Sequence, residues 1–185
     1  ARERDRAKAE QLKAETLNRF LLRILQAASP EQKGKDAKIL EVLSDAEQNL
    51  ETEFANQPEQ KAQGYLSLGF TYFSIQEHEK ANSLLLKSLQ ICDSSLPSDN
   101  QITSNTLIVL SINLNAQNKF DEAEKYIYRG IELERKISPY GSRTLAFALS
   151  NLGDIYLRKS KITEAAKPIA EAVKIFSTLT GENDP

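Results

Sequence analysis

Apolar and small residues recur along this chain with a period of 42 residues. Each unit has a leucine followed by a small residue, a large residue four positions after the leucine, and an alanine thirteen positions after it. These slots are Leu68, Gly69, Tyr72 and Ala81 in the first unit, Leu110, Ser111, Leu114 and Ala123 in the second, and Leu152, Gly153, Tyr156 and Ala165 in the third. Unrelated segments would not share four slots, so the sequence predicts a repeat array whose core lies between neighbouring units.

Within each unit the apolar residues have helical spacing. This spacing predicts A helices at about 60–76, 102–117 and 144–159, and B helices at about 78–94, 120–137 and 162–178. Glycine inside a helix costs about 1 kcal/mol relative to alanine, so Gly69 and Gly153 indicate that the paired helices must approach closely. No period-2 run lies between hairpin signals. The predicted fold is all-α, a right-handed helical-repeat solenoid of antiparallel helix pairs.

The first 58 residues have a different pattern. Residues 1–15 are charged and alanine-rich, which predicts a solvated helix. Two apolar helical faces follow, the second on a helix predicted at about 36–55. These faces are Leu17, Phe20, Leu21, Ile24, Leu25 and Ala28, and then Ile39, Leu40, Leu43, Ala46, Leu50 and Phe54. We expect a charged helix and a capping helix pair in region 1–58, and three repeats in region 59–185, at about 62–95, 104–137 and 146–179.

Composition narrows the classes of function. The net charge of −2 and the sequence pI of about 5.6 give no bias toward nucleic acid, so we expect no nucleic-acid partner. No run of 18 apolar residues occurs that could span a bilayer. Cys92 is the one cysteine and leaves the redox compartment open. Because methionine is absent, even as an initiator, we expect the chain to be a segment of a longer protein.

The sequence offers no arrangement of residues for catalysis. His78 is the one histidine, and we expect a partly buried turn residue, because a zinc site needs about three or four ligands. Cys92 is expected in the core and not as a nucleophile. Glu132 and Glu134 are expected on an outer helix face. No phosphate-binding glycine motif occurs. We therefore predict a non-enzymatic chain with no metal and no cofactor.

The repeat motif resembles a known family. Tyr65-x-x-Leu68-Gly69-x-x-Tyr72, followed by Ala81-x-x-x-Leu85, resembles the tetratricopeptide repeat. The third unit matches equally well, and the second is degenerate at Ser111 and Leu114. The usual repeat has about 34 residues, whereas a period of 42 resembles the kinesin-light-chain-like subclass. The resemblance covers about residues 60–185 and implies an array that binds peptide or protein partners and continues in a parent protein.

The N-terminal region carries a second resemblance. Phe20-Leu21-Leu22, Ala28-Ser29-Pro30, Val42-Leu43 and Phe54-Ala55-Asn56-Gln57-Pro58 are similar to the segment after the membrane helix of bacterial serine/threonine protein kinases that end in such repeats. This resemblance implies a membrane-anchored parent with the repeats on the extracytoplasmic, periplasmic side of the inner membrane. Without it we expect the cytoplasm. No kinase motif occurs in the sequence, so any kinase activity would belong to another part of the parent.

The family resemblance also implies a groove along the concave face, lined by five slots of each A helix. These slots are Gln63, Leu66, Ser67, Phe70 and Phe73, then Asn105, Ile108, Val109, Ile112 and Asn115, then Phe147, Ser150, Asn151, Asp154 and Leu157. Relatives that bind a C-terminal carboxylate have basic residues and asparagine at these slots. Leu66, Phe70 and Ile108 are apolar here, so no carboxylate clamp is expected. The resemblance implies that Asn151 holds a peptide backbone.

We predict a protein-interaction module, the sensor or scaffold region of a signalling kinase, that binds a peptide or protein partner in this groove. Two other occupants of an apolar groove are the chain's own segment Leu17–Ala28 and a second copy of the chain. Small-molecule binding is a further alternative. The second function class is a homodimerisation element that brings attached signalling domains together.

Overall fold

The computed structural model describes residues 35–181. In this range the chain forms seven α-helices and no β-strand. The helices are α1 (Lys35–Glu53), α2 (Pro58–Ser74), α3 (His78–Ser95), α4 (Gln101–Ala116), α5 (Phe120–Ile137), α6 (Arg143–Arg158) and α7 (Ile162–Thr180). Every bound lies within two residues of its predicted position, and the all-α helical-repeat architecture is confirmed. The helices predicted within residues 1–34 lie outside the described residues.

The helices pack as three A/B pairs, α2 with α3, α4 with α5 and α6 with α7. Each B helix also contacts the A helix of the following pair. The helix α1 precedes the first pair and packs against α2. Pro58, which the sequence placed at the end of the N-terminal region, instead begins α2, because proline has no N–H and suits the first turn of a helix.

Backbone conformation repeats with the same period as the sequence. The turn inside each pair contains one residue in the left-handed region: Gln76 (φ 66°), Asn118 (φ 61°) and Ser160 (φ 59°). This conformation lets the chain leave one helix and enter the next within three residues. The longer linkers end in side-chain caps, since Asn100 Oδ1 and Ser142 Oγ accept backbone N–H groups at the starts of α4 and α6.

The core lies between neighbouring helices along the whole array. One cluster joins α1 to the first pair through Leu43, Leu50, Phe54, Tyr65, Leu68, Tyr72, Ala81 and Leu84. A second cluster continues through all three pairs and includes Leu85, Leu107, Ile127, Leu149 and Ile155. Because this core is shared between neighbours, each pair depends for its burial on the pair beside it.

The predicted packing slots lie inside the helix pairs. Leu68, Leu110, Leu152, Tyr72, Ala81, Ala123 and Ala165 are buried, and Tyr156 is half-buried. A Cβ atom at Gly69 would lie 2.7 Å from Leu85 Cγ, and one at Gly153 would lie 2.4 Å from Ile169 Cγ1. In the second pair Ser111 takes this slot, and its hydroxyl donates to the Ala123 carbonyl at 2.8 Å. The buried serine is therefore satisfied within its own pair.

Ion pairs join successive B-type helices on the side away from the A helices. Glu47 on α1 contacts Lys80 and Lys87 on α3, at 2.5 and 2.9 Å. Asp93 on α3 pairs with Arg129 on α5. Arg135 on α5 contacts both carboxylate oxygens of Glu171 on α7, at 2.7 and 2.9 Å. We call this set of contacts the B-helix ladder.

Candidate functional site

The three A helices enclose one cavity of about 340 Å³ on their shared face. Its lining residues, which define the A-helix groove, are Leu66, Ser67, Phe70, Asn105, Ile108, Val109, Thr144 and Phe147. Seven of these eight residues are among the predicted groove slots, and Thr144 is the exception. None of the eight carries a charge, so the groove offers apolar contact with a few hydroxyl and amide groups.

The A-helix groove has a buried floor and an exposed rim. Leu66 and Ile108 lie at the floor and are 6% and 5% exposed. Phe70 on α2 and Phe147 on α6 are 52% and 56% exposed and stand at the two sides. An apolar cavity with large exposed aromatic side chains at its rim is an arrangement that favours a bound apolar group.

Neighbouring rings support both rim phenylalanines. The Phe70 ring lies 6.2 Å from the Phe73 ring, and the Phe73 ring lies 5.9 Å from that of His78. The Phe147 ring meets Phe176 of α7 edge-on, at 5.4 Å. Edge-to-face and tilted ring pairs of this kind contribute about 0.5–1.5 kcal/mol beyond their buried area. The rim is therefore held in place before any ligand binds.

The other predicted groove residues do not line this cavity. Gln63 contacts Ser67 on its own helix, at 3.5 Å. Phe73 and Ile112 are half-buried, whereas Ser150 is exposed near the third repeat's end of the A-helix face. Leu157, at the end of α6, is 47% exposed.

A polar cluster occupies the same face between α4 and α6. Asn115 Nδ2 donates to Asp154 Oδ2 at 2.6 Å, and Asp154 also pairs with Arg158 at 3.3 Å. Asn151 Nδ2 donates to Ser111 Oγ at 3.0 Å, while its Oδ1 has a single long contact of 3.5 Å from Asn115. The Asn151 amide nitrogen is therefore used within the array, and its oxygen retains capacity to accept a hydrogen bond.

His78 joins the first and second repeats, a role that the sequence analysis missed. Its Nδ1 lies 2.8 Å from Asn113 Oδ1 on α4. Asn113 Nδ2 donates to the His78 carbonyl at 3.0 Å and to Asn82 Oδ1 at 2.7 Å. Because the amide nitrogen makes both donations, Oδ1 is the acceptor and His78 Nδ1 carries the hydrogen. Asn113 is completely buried, so this network fixes the junction between the repeats.

Glu134 corrects the expectation of an outer-face residue, because it is only 1% exposed. Its carboxylate accepts hydrogen bonds from Gln101 at 3.0 Å, Ser104 at 2.6 Å and Ser142 at 2.7 Å. These donors come from α4 and from the linker before α6, so Glu134 ties three elements together. The signal was available in the repeat register, since Glu134 takes the slot of the buried Cys92.

The described residues show no arrangement for metal binding or thiol chemistry. Within residues 35–181 there is no group of three or more histidine, cysteine, aspartate or glutamate side chains that could hold a metal ion. Burial raises the pKa of the Cys92 thiol, which disfavours the reactive thiolate. In the same range no helix is long and apolar enough to cross a bilayer.

Comparison with known protein families and sequences identifies the repeat type. Residues 60–136 match the family model described as tetratricopeptide repeat. The chain is also 30% identical over 123 residues to Tetratricopeptide repeat protein 19, mitochondrial, of Rattus norvegicus and of Mus musculus. That alignment covers 63% of this chain and 33% of each relative, so the chain spans about a third of their length.

Solved structures share the fold. BtubC (BKLC) from P. vanneervenii matches with a TM-score of 0.66 at 15% identity, over 100% of this chain and 78% of that one. A Podosopora anserina protein described as a kinesin light chain with nearly identical TPR-like repeats matches with a TM-score of 0.67 at 14% identity, over 91% and 74%. At these identities the likeness concerns the fold alone.

Proposed function

Since residues 60–136 are tetratricopeptide repeats, which generally mediate protein–protein interaction, we propose that this chain binds a peptide or helical segment of a partner in the A-helix groove. The module is non-catalytic. The single observation that carries the proposal is the uncharged cavity between α2, α4 and α6, with two half-exposed phenylalanines at its rim.

The lining of the groove defines the chemistry of the partner. Leu66 and Ile108 at the floor can bury one or two large apolar side chains, at about 25 cal/mol for each Å² removed from water. No lining side chain can pair with a charge, so charged groups of the partner would remain in solvent. Binding should therefore depend little on ionic strength.

The polar cluster extends the proposed site beyond the cavity. Asn115, Asn151 and Asp154 lie at the α4–α6 end of the same face, and the Asn151 oxygen can accept a hydrogen bond from a peptide N–H. We place the apolar side chains of the partner in the cavity and its backbone along this cluster. This division of roles, pockets for affinity and amides for register, is common where extended peptides bind to folded domains.

Removal of the rim tests the proposal directly. Peptides would be selected from a displayed random library against the purified chain, and their affinities measured by fluorescence anisotropy. Phe70→Ala combined with Phe147→Ala should weaken binding at least about a hundredfold, because central aromatic contacts typically contribute 2 kcal/mol or more each. Both side chains are more than half exposed, so the helical circular dichroism signal should be unchanged.

Tyr140→Ala provides the matched control, because Tyr140 is a fully exposed aromatic residue in the linker before α6. Its loss should leave peptide affinity unchanged. Undiminished affinity in the double variant would exclude the A-helix groove as the site. Selected peptides whose binding is abolished by salt would contradict an uncharged site.

We further propose that the chain is the sensor or scaffold region of a bacterial serine/threonine kinase. The N-terminal resemblance supports this, although most of its residues lie outside the described part of the chain. Within the described part, Phe54 is buried after the end of α1 and Pro58 begins α2, which is consistent with a capping role for this region. The coding sequence upstream of Ala1 is the test, and one without kinase motifs and a membrane helix would remove the assignment.

A further inference from the structure

An apolar row on α7 is exposed, although the corresponding rows on earlier B helices are buried. This row, which we call the α7 row, consists of Ile162, Ala166, Ile169 and Val173. Ile169 is 36% exposed and Val173 is 58% exposed. The residues 42 positions earlier, Ile127 and Ile131, are 0% and 3% exposed, because they belong to the core shared by the α5 and α6 helices. The equivalent residues on α3, Leu85 and Leu89, are also buried.

The α7 row lacks the polar group that joins each inner B helix to the next A helix. On α3 the slot of Ala166 is Asn82, which accepts from Asn113 of α4 at 2.7 Å. On α5 the same slot is Glu124, which binds Lys159 of α6 at 2.6 Å. Ala166 can make no such contact, so the α7 row is not matched to the A helix of a further repeat.

The α6 part of this end of the array is polar. Ser150 occupies the slot in which Leu66 and Ile108 are buried by the following A helix. Asp154 likewise replaces the apolar residue found at that slot in the first two repeats. A complete repeat stacked here would need apolar contacts from both α6 and α7. The apolar patch is only one helix wide, which suits a single packed helix.

The α7 row carries no charge that would repel an identical row. The charged side chains of α7 project from its other side, as helical geometry requires for Glu164, Lys167, Glu171 and Lys174. The small Ala166 and Ala170 let another helix approach closely. A two-fold axis across the row places the two helices antiparallel, which also opposes their dipoles favourably.

We propose that the α7 row is the contact surface for a second copy of this chain, with the two α7 helices packed antiparallel about a two-fold axis. Such isologous dimers are the commonest oligomers of soluble proteins. The proposal does not depend on the peptide site, because the dimer leaves the A-helix groove of each copy open. A dimer would present two grooves to a bivalent partner and strengthen its binding through avidity.

Sedimentation equilibrium of the full 185-residue chain tests the proposal. The expected mass rises from the monomer value of 20.7 kDa to twice that value as concentration increases. Ala166→Glu combined with Val173→Glu should remain monomeric at every concentration, since both residues are exposed and the new charges face each other across the axis. Lys167→Glu changes the net charge by the same amount on the opposite side of α7 and should still dimerise.

Hydrogen exchange on the unmodified protein gives a second measurement that does not require a variant to fold. Amide protection should increase with concentration over residues 162–177 and nowhere else. A wild-type chain that is monomeric at all concentrations overturns the proposal. So does a dimer that survives the double substitution, or a rise in protection confined to another helix.

Discussion

Alanine at Gly69 and at Gly153 tests which property limits packing inside a repeat. The two glycines occupy the same slot of the first and third A helices, and alanine stabilises a helix interior by about 1 kcal/mol relative to glycine. The new Cβ atom would lie 2.7 Å from Leu85 Cγ in the first case and 2.4 Å from Ile169 Cγ1 in the second. Distance alone therefore predicts that Gly153→Ala is the more harmful change.

The freedom of the neighbouring side chain predicts the opposite order. Leu85 is completely buried and surrounded by core residues, so it cannot yield without moving them. Overpacking of this kind costs about 1–3 kcal/mol. We expect Gly69→Ala to lower the free energy of unfolding by about 1 kcal/mol once the helix gain of about 1 kcal/mol is subtracted. Ile169 is 36% exposed and can rotate toward solvent, so Gly153→Ala should be neutral or slightly stabilising.

Urea unfolding followed by circular dichroism measures both effects, at a concentration where the chain is monomeric. Gly130→Ala calibrates the helix gain, because its Cβ would lie 3.1 Å from Ile108 Cγ1 and needs only a small adjustment. If Gly153→Ala destabilises the protein as much as Gly69→Ala, then the static distance governs the cost. In that case the reasoning from side-chain freedom is wrong.

Two further predictions concern the junctions between helices. Asn113→Ala should lower the free energy of unfolding by about 2 kcal/mol or more, because it leaves the His78 ring and carbonyl without their buried partner; urea unfolding checks this, and no loss would show that the network is dispensable. Burial raises the pKa of Glu47, but hydrogen bonds and charge from Lys80 and Lys87 outweigh it and place the pKa below its ordinary 4.5. A carboxyl with a lowered folded-state pKa stabilises above its ordinary pKa and loses that contribution as the pH falls through the folded value, so Glu47→Gln should cost stability at neutral pH and little in strong acid, as thermal unfolding across pH would reveal.

The repeat register was readable from the sequence because it depends on local spacing. Leu68, its two counterparts and the small residues after them recur at a fixed interval, and helix bounds follow from that interval and from turn residues. The same register identified most of the groove lining, since A-helix slots that share a face are fixed by helical geometry.

Contacts between repeats were harder to predict. The bonds of Asn113 and Glu134 depend on how one pair is rotated against the next, and no spacing within a single helix encodes that rotation. Thr144 lines the groove for the same reason, because it reaches the cavity across the junction with α4. A comparison of equivalent slots would have found Glu134, whose counterpart Cys92 is buried.

The B-helix ladder gives the array unequal resistance to bending. On that side, half-exposed pairs such as Arg135 with Glu171 hold successive helices together, and each contributes about 0–1 kcal/mol. On the A-helix side the junctions are made of buried contacts, which cannot stretch without exposing apolar surface. The array therefore resembles a leaf spring with one stiff seam and one soft seam. Flexing it at the soft seam spreads the B helices and moves Phe70 and Phe147 toward each other, so the groove would grip by elastic deformation of the whole array instead of by a hinge.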